Sequence, residues 1–319
     1  MNIKKLGFSA LAGSLVAASA TAGEMSVSGG ANLYMTAVDE NGKTTWSNDD
    51  HVTFSGSGDL DNGMTVTFSL QLDGDESDDG AIDNHSVTIN TNGMGTITYG
   101  GHGGDTVMSG MDDKTPTAYE EAFDSLGGTT AIVINGESGN DIIRYDSESF
   151  GGAQFHFAIM PSTADSATTH SGGVYSDFGL TISPEAVDGL TIGYASGESE
   201  VTAGTAVDES TYYITYAYGP VTVGYQSSEY DAPSATDTDE SESIGISYQV
   251  SDELSISYNE HSVDVGSTTA DQESEGVSIS YTMGGITIAG HANEMQNVAG
   301  TSTNDREGEG YEINLGFAF

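Results

Sequence analysis

Met64-Thr65-Val66-Thr67-Phe68-Ser69-Leu70-Gln71-Leu72 decides the fold. Met64, Val66, Phe68, Leu70 and Leu72 are large and apolar, and hydroxyl or amide side chains stand between them. In an extended chain successive side chains point to opposite faces. The stretch therefore reads as a strand with one apolar and one polar face. Asp61-Asn62-Gly63, just before it, is a turn sequence. The same period appears at Met25, Val27, Ala31, Leu33, Met35 and Ala37, and again at Tyr212, Ile214, Tyr216 and Tyr218. It recurs at Val277, Ile279, Tyr281 and Met283, and it ends the chain at Tyr311, Ile313, Leu315, Phe317 and Phe319. No stretch of comparable length repeats every 3.6 residues, so an all-β chain is expected.

The connections between these runs alternate in length. Short ones fall at 61–63, 92–93, 150–152, 184–189, 219–220, 251–253 and 284–285, and most carry Gly, Asn, Asp or Pro. Long ones fall at 39–50, 73–81, 101–139, 161–173, 197–209, 227–241, 260–274 and 293–307 and are rich in Asp, Glu, Ser, Thr and Gly. Seven short and eight long connections require sixteen strands, with both termini on the short-turn side. The expected architecture is a closed 16-stranded antiparallel transmembrane β-barrel. Tyr218, Tyr248, Tyr281, Phe150, Phe317 and Phe319 lie near short turns, where an interfacial aromatic girdle belongs.

Composition narrows the function. Lys4 and Lys5, an apolar stretch from Leu6 to Ala18, and Ala20-Thr21-Ala22 read as a signal peptide over 1–22. That stretch is too short to span a membrane as a helix. The barrel domain is then 23–319, with Lys43, Lys114, Arg144 and Arg306 against 49 acidic residues, a balance of −45. Such a surface repels nucleic acid, and cations are its natural counter-species. The absence of Cys excludes thiol chemistry, disulfides and zinc–thiolate sites. An apolar content of 36% is low for a soluble core but suits strands with only one lipid-facing side.

Three segments carry a family resemblance. Gly310-Tyr311-Glu312-Ile313-Asn314-Leu315-Gly316-Phe317-Ala318-Phe319 is similar to the C-terminal signal of outer-membrane barrels. Asn140-Asp141-Ile142-Ile143-Arg144-Tyr145-Asp146-Ser147-Glu148-Ser149-Phe150-Gly151-Gly152 resembles the strand after loop 3 in trimeric general porins of Gram-negative bacteria. Gly95-Thr96-Ile97-Thr98-Tyr99-Gly100-Gly101-His102 resembles the strand that enters loop 3. The resemblance covers the whole mature chain and is to the alphaproteobacterial type. It implies a homotrimer in outer-membrane lipid, inserted by the barrel-assembly machinery through the C-terminal strand. It also implies passive diffusion of small hydrophilic solutes past an inward-folded loop 3. Asp112, Asp113, Glu120, Glu121 and Asp124 would then contribute to the constriction. Many family members carry Arg where this chain has Gly101, so the opposing basic wall is weakened and a preference for cations is expected.

Other constellations are weaker. Arg144 alternates with Ile143 and Tyr145 and should face the lumen, as an eyelet residue or as an anchor for loop 3. Asp73-Gly74-Asp75-Glu76-Ser77-Asp78-Asp79-Gly80 suggests a divalent-cation loop through Asp73, Asp75, Asp78 and Asp79. Asp78 and Asn84 stand where such a loop needs Gly and Glu, and a solvated external loop fits better. No cofactor is required, and loose binding of Ca2+ or Mg2+ by several loops stays open. Gly42-Lys43-Thr44 lacks the rest of a phosphate loop. The seven histidines show no ligand spacing, and His102 and His156 are lone candidates for catalysis, so no enzyme is expected. The competing class is a secreted, calcium-binding β-rich surface or adhesive protein. It would account for the acidic loops but not for the terminal Phe319.

Overall fold

The structure, a computed structural model, describes residues 25–38, 43–74, 82–124, 134, 136–161, 174–202, 205–231, 238–264, 270–300 and 308–319. The expected signal peptide and Asp75, Asp78 and Asp79 lie outside these residues.

Sixteen strands close into one antiparallel barrel. They are β1 (Met25–Val38), β2 (Lys43–Asp59), β3 (Thr65–Asp73), β4 (Ile82–Asn90), β5 (Thr96–His102), β8 (Ile142–Asp146), β9 (Ala153–Met160) and β10 (Tyr175–Ile182). The others are β11 (Leu190–Thr202), β12 (Thr205–Tyr218), β13 (Val221–Asp231), β14 (Asp239–Gln249), β15 (Leu254–Asp264), β16 (Gln272–Met283), β17 (Ile286–Gln296) and β18 (Gly308–Ala318). Two short strands, β6 (Gly104–Asp105) and β7 (Ser138–Gly139), pair outside the barrel sheet. The barrel closes between β1 and β18, with Leu33 opposite Leu315 and Met35 opposite Ile313. Gly29 and Phe319 then exchange two backbone hydrogen bonds of 2.8 and 3.0 Å. With the last strand paired to the first, no edge is left for lipid to meet.

The outward face carries the predicted apolar set. Ile214, Tyr216, Ile246, Ile256, Ile279, Ile288 and Ile313 are all exposed on the outside of the wall. Each such side chain gains roughly 1.5–3 kcal/mol on leaving water, and in this fold lipid is what receives it. The six aromatic residues near the short turns are also exposed, Tyr218, Phe150 and Phe319 most of all. Tight turns need backbone that few residues adopt. Gly152 has φ +86°, and a β-carbon there would sit 2.1 Å from the Ser183 carbonyl oxygen.

Several strands extend further than the apolar alternation indicates. Parts of 39–50, 197–209, 227–241 and 260–274, expected as loops, are strand. Polar side chains predominate on the outer face there, and apolar ones such as Val207 and Val263 turn inward instead, so the period-two signal fades while the backbone pairing continues. The consequence is an acidic row on the outer wall. Glu260 pairs with Glu275, Glu275 with Glu294, and Glu294 with Glu309, and all four are exposed. The Tyr258 hydroxyl bonds to Glu260 and Glu275 at 2.8 and 2.6 Å.

Candidate functional site

The connection between β5 and β8 forms the site. It begins and ends as a small hairpin, with Gly104 opposite Gly139 and Asp105 opposite Ser138. An apolar turn follows. Val107, Met108 and Met111 pack against Ile142, Ala158, Met160, Tyr175, Ala195 and Tyr213. This is the larger of the two buried apolar clusters among the described residues. The wall strands point Ala158, Met160, Tyr175 and Tyr213 inward, so the loop's own side chains cover what lipid cannot reach. Asp177 of β10 is 2% exposed and accepts the Met108 N–H at 2.7 Å and the Tyr175 hydroxyl at 3.2 Å.

The segment then steps along the inner wall, strand by strand. Gln226 of β13 accepts the Lys114 N–H at 2.7 Å and donates to the carbonyls of Met111 and Asp112 at 2.7 and 3.1 Å. Gly224 and Gly245 make room for Pro116, whose Cδ would lie 2.5 and 3.1 Å from a β-carbon at either position. Ser257 of β15 accepts the Ala118 N–H at 2.9 Å, and Ser278 of β16 accepts the Tyr119 N–H at 3.1 Å. Asn293 of β17 donates to the carbonyls of Glu121 and Asp124 at 2.8 and 3.0 Å. The Tyr119 hydroxyl donates to Glu312 of β18 at 2.7 Å. A loop without a ladder must satisfy its backbone groups elsewhere, and here the polar wall residues do so.

This path decides the company of the acidic residues. Asp113, Glu120, Glu121 and Asp124 come together. The Asp124 carboxylate accepts the Glu121 N–H at 3.1 Å, and the Glu121 carboxyl bonds to those of Asp113 and Asp124. The Glu120 carboxyl bonds to that of Asp124. Two acids can share such a bond only if one keeps its proton. Burial, reinforced by Asp124, pushes Glu120 up to about 7. Burial and then Asp113 hold Glu121 far above the usual carboxylate range, and burial also raises Asp113. Asp112 stands apart from this group. Burial, then the charge of Asp113, pushes it up to about 6.

Arg144 stands on the inner face of β8. Its guanidinium bonds to Asp146 at 3.1 Å and to the Thr106 carbonyl at 3.0 Å, tying the start of the loop to the wall. Asp146 also meets His156 Nδ1 at 2.6 Å, and His156 Nε2 lies 3.1 Å from the Thr181 hydroxyl. Gly101 sits in an irregular pairing of β4 with β5. A β-carbon there would lie 2.1 Å from His85 Nε2, so the His85 ring already fills the space an Arg would need. Asp73 ends β3 opposite His51. Tyr311, Ile313, Leu315 and Phe317 lie on β18, and the Phe319 ring covers Gly29.

Sequence reasoning missed the wall residues that hold the loop, namely Asp177, Gln226, Ser257, Ser278, Asn293 and Glu312. Their inward position was readable from alternation, except for Asn293, which fell in the expected loop 293–307 and lies instead on β17. Their partners were not, because any lumen-facing polar side chain gives the same local signal.

A closed barrel with a loop bonded along its inner wall is the architecture of a transmembrane channel. The chain belongs to the Gram-negative porin family, whose model matches residues 7–318. No curated protein matches it. Among solved structures it is similar to the anion-selective porin from Comamonas acidovorans, with 14% identity, 93% of this chain and 99% of that chain covered, and a TM-score of 0.72. It is also similar to the trimer form of OmpT from Vibrio cholerae, with 12% identity, 93% and 100% covered, and a TM-score of 0.69. A mutant Rh. blastica porin shares 14% identity, with 93% and 100% covered and a TM-score of 0.64. The protein is an outer-membrane porin, and its family and fold are those of channels. The calcium-binding surface protein finds no support in them.

Proposed function

We propose that the protein is a water-filled, cation-preferring channel for passive diffusion of small hydrophilic solutes, with loop 3 as its constriction. One observation carries this reading. Asp112, Asp113, Glu120, Glu121 and Asp124 belong to a segment bonded to the inner wall from β10 to β18, and the basic residues available to offset them are few. Arg144 is already engaged by Asp146. Acidic side chains at a narrow point favour cation entry, and low-dielectric walls focus their field. The Comamonas porin is described as anion-selective. At 14% identity the fold is what the two share, and selectivity follows from the charges each chain places in its lumen.

A homotrimer is part of the proposal, as is recognition of the C-terminal strand by the barrel-assembly machinery. So is loose association of Ca2+ or Mg2+ with the acidic external side. The decisive experiment is the triple change Glu120→Gln, Glu121→Gln and Asp124→Asn, read as reversal potential in a KCl gradient. The potential should move towards zero while the barrel stays folded. An unchanged potential would remove these residues from the constriction.

A further inference from the structure

A buried imidazole lies beside the acidic turn of loop 3 with nothing to bond. His291 projects inward from β17 and is 5% exposed. Neither Nδ1 nor Nε2 has a hydrogen-bond partner, although both atoms are buried. A neutral imidazole has one donor and one acceptor nitrogen, and buried polar atoms are rarely left unmet. Tyr119 stacks on the ring at 5.8 Å, and its charged neighbours are Glu312 and Asp124. Asn293, two residues along the same face, holds the carbonyls of Glu121 and Asp124 and so places the acidic turn next to His291. In that turn, one carboxylate oxygen each from Glu120, Glu121 and Asp124 lie within 4.8 Å of one another.

We infer that Glu120, Glu121 and Asp124 form a divalent-cation site of the calcium class, with His291 bonded to a water in the ion's shell. Three hard oxygens suit Ca2+, which completes its six to eight ligands with waters and carbonyls. An outer-shell partner of this kind orients the shell and tunes affinity. The site is fixed in the lumen, unlike the loose association proposed for the external loops, and it does not depend on whether loop 3 sets selectivity.

Terbium is a luminescent substitute for Ca2+ and is excited through nearby tyrosines. Full-length protein in detergent, stripped with a chelator and kept in high NaCl to screen the external loops, is titrated with Tb3+ and then with competing Ca2+. One saturable phase, displaced by Ca2+, is expected. Glu121→Gln should weaken it at least tenfold, and His291→Ala about tenfold, the lower end of the outer-shell range. Glu121→Gln is nearly isosteric, so it keeps the test valid if the triple variant fails to fold. Equal titrations for wild type and Glu121→Gln would place all binding on other acidic groups and overturn the site. Binding is read directly, so its failure is distinct from failure of the proposed selectivity.

Discussion

Glu120 and Asp112 make the pore sensitive to pH. Burial raises both above ordinary carboxylates, to about 7 and about 6. An acid with a raised native pKa binds more protons folded than unfolded between the two values, so its contribution to stability falls as pH rises through that window. The packed loop is therefore favoured below about pH 4, where even the unfolded chain is protonated, and it loses that advantage towards pH 7. Over the same range the lumen gains negative charge. Cation preference should rise between pH 5 and pH 8, with the steepest change near the two raised values. Reversal potentials in a KCl gradient at stepped pH check this, and a flat profile would mean that neither residue reaches the permeating ions. The acidic character of this stretch was readable in the sequence. The grouping of Asp113 with Glu120, Glu121 and Asp124, and the exclusion of Asp112, was not, because it depends on which way each side chain turns from a wall-bonded backbone. Gly101 makes the same point. The sequence shows a missing Arg, and only the pairing of β4 with β5 reveals that His85 fills the gap.

β18 shows how an element can be legible almost completely. Its alternation from Tyr311 to Phe319 gave both the strand and its outward face, and β18 closes the barrel on β1 as that pattern requires. Deleting Phe319 removes two backbone bonds to Gly29 and the ring that covers it. The bonds contribute roughly 0.5–1.5 kcal/mol each. The deletion should lower the temperature at which the barrel opens and leave more protein in the periplasm. Fractionation and heated gels measure both effects, and normal assembly would show that closure does not depend on the last residue. The acidic strand ends were the less legible part. Glu240 and Glu273 have no apolar residue two positions away on either side, so they read as loop until β14 and β16 supply backbone bonds.

At the scale of the whole molecule, closure and charge oppose each other. Sixteen paired strands leave no edge to open from. The unheated protein should therefore migrate faster than the boiled one in denaturing gels, and equal mobility would count against a closed barrel. The row Glu260, Glu275, Glu294 and Glu309 places like charges directly opposite one another, which is destabilising in a sheet. Cations that bind the native state offset this. Ca2+ or Mg2+ should raise the unfolding midpoint above that in NaCl of equal ionic strength. Glu275→Gln with Glu294→Gln should raise the midpoint in NaCl and narrow the difference. Equal midpoints for wild type in the two salts would leave only general screening.

The sequence by itself determined the barrel, its strand count, the outward apolar face and the excess of negative charge. These are local properties, since lipid and water select each side chain position by position, and a period of two records the selection. Tertiary structure alone decided the path of loop 3. Lys114 meets Gln226 across 112 positions, and Tyr119 meets Glu312 across 193. No local pattern encodes contacts at such separations, because they exist only once the wall has closed and its inward polar side chains face the loop together.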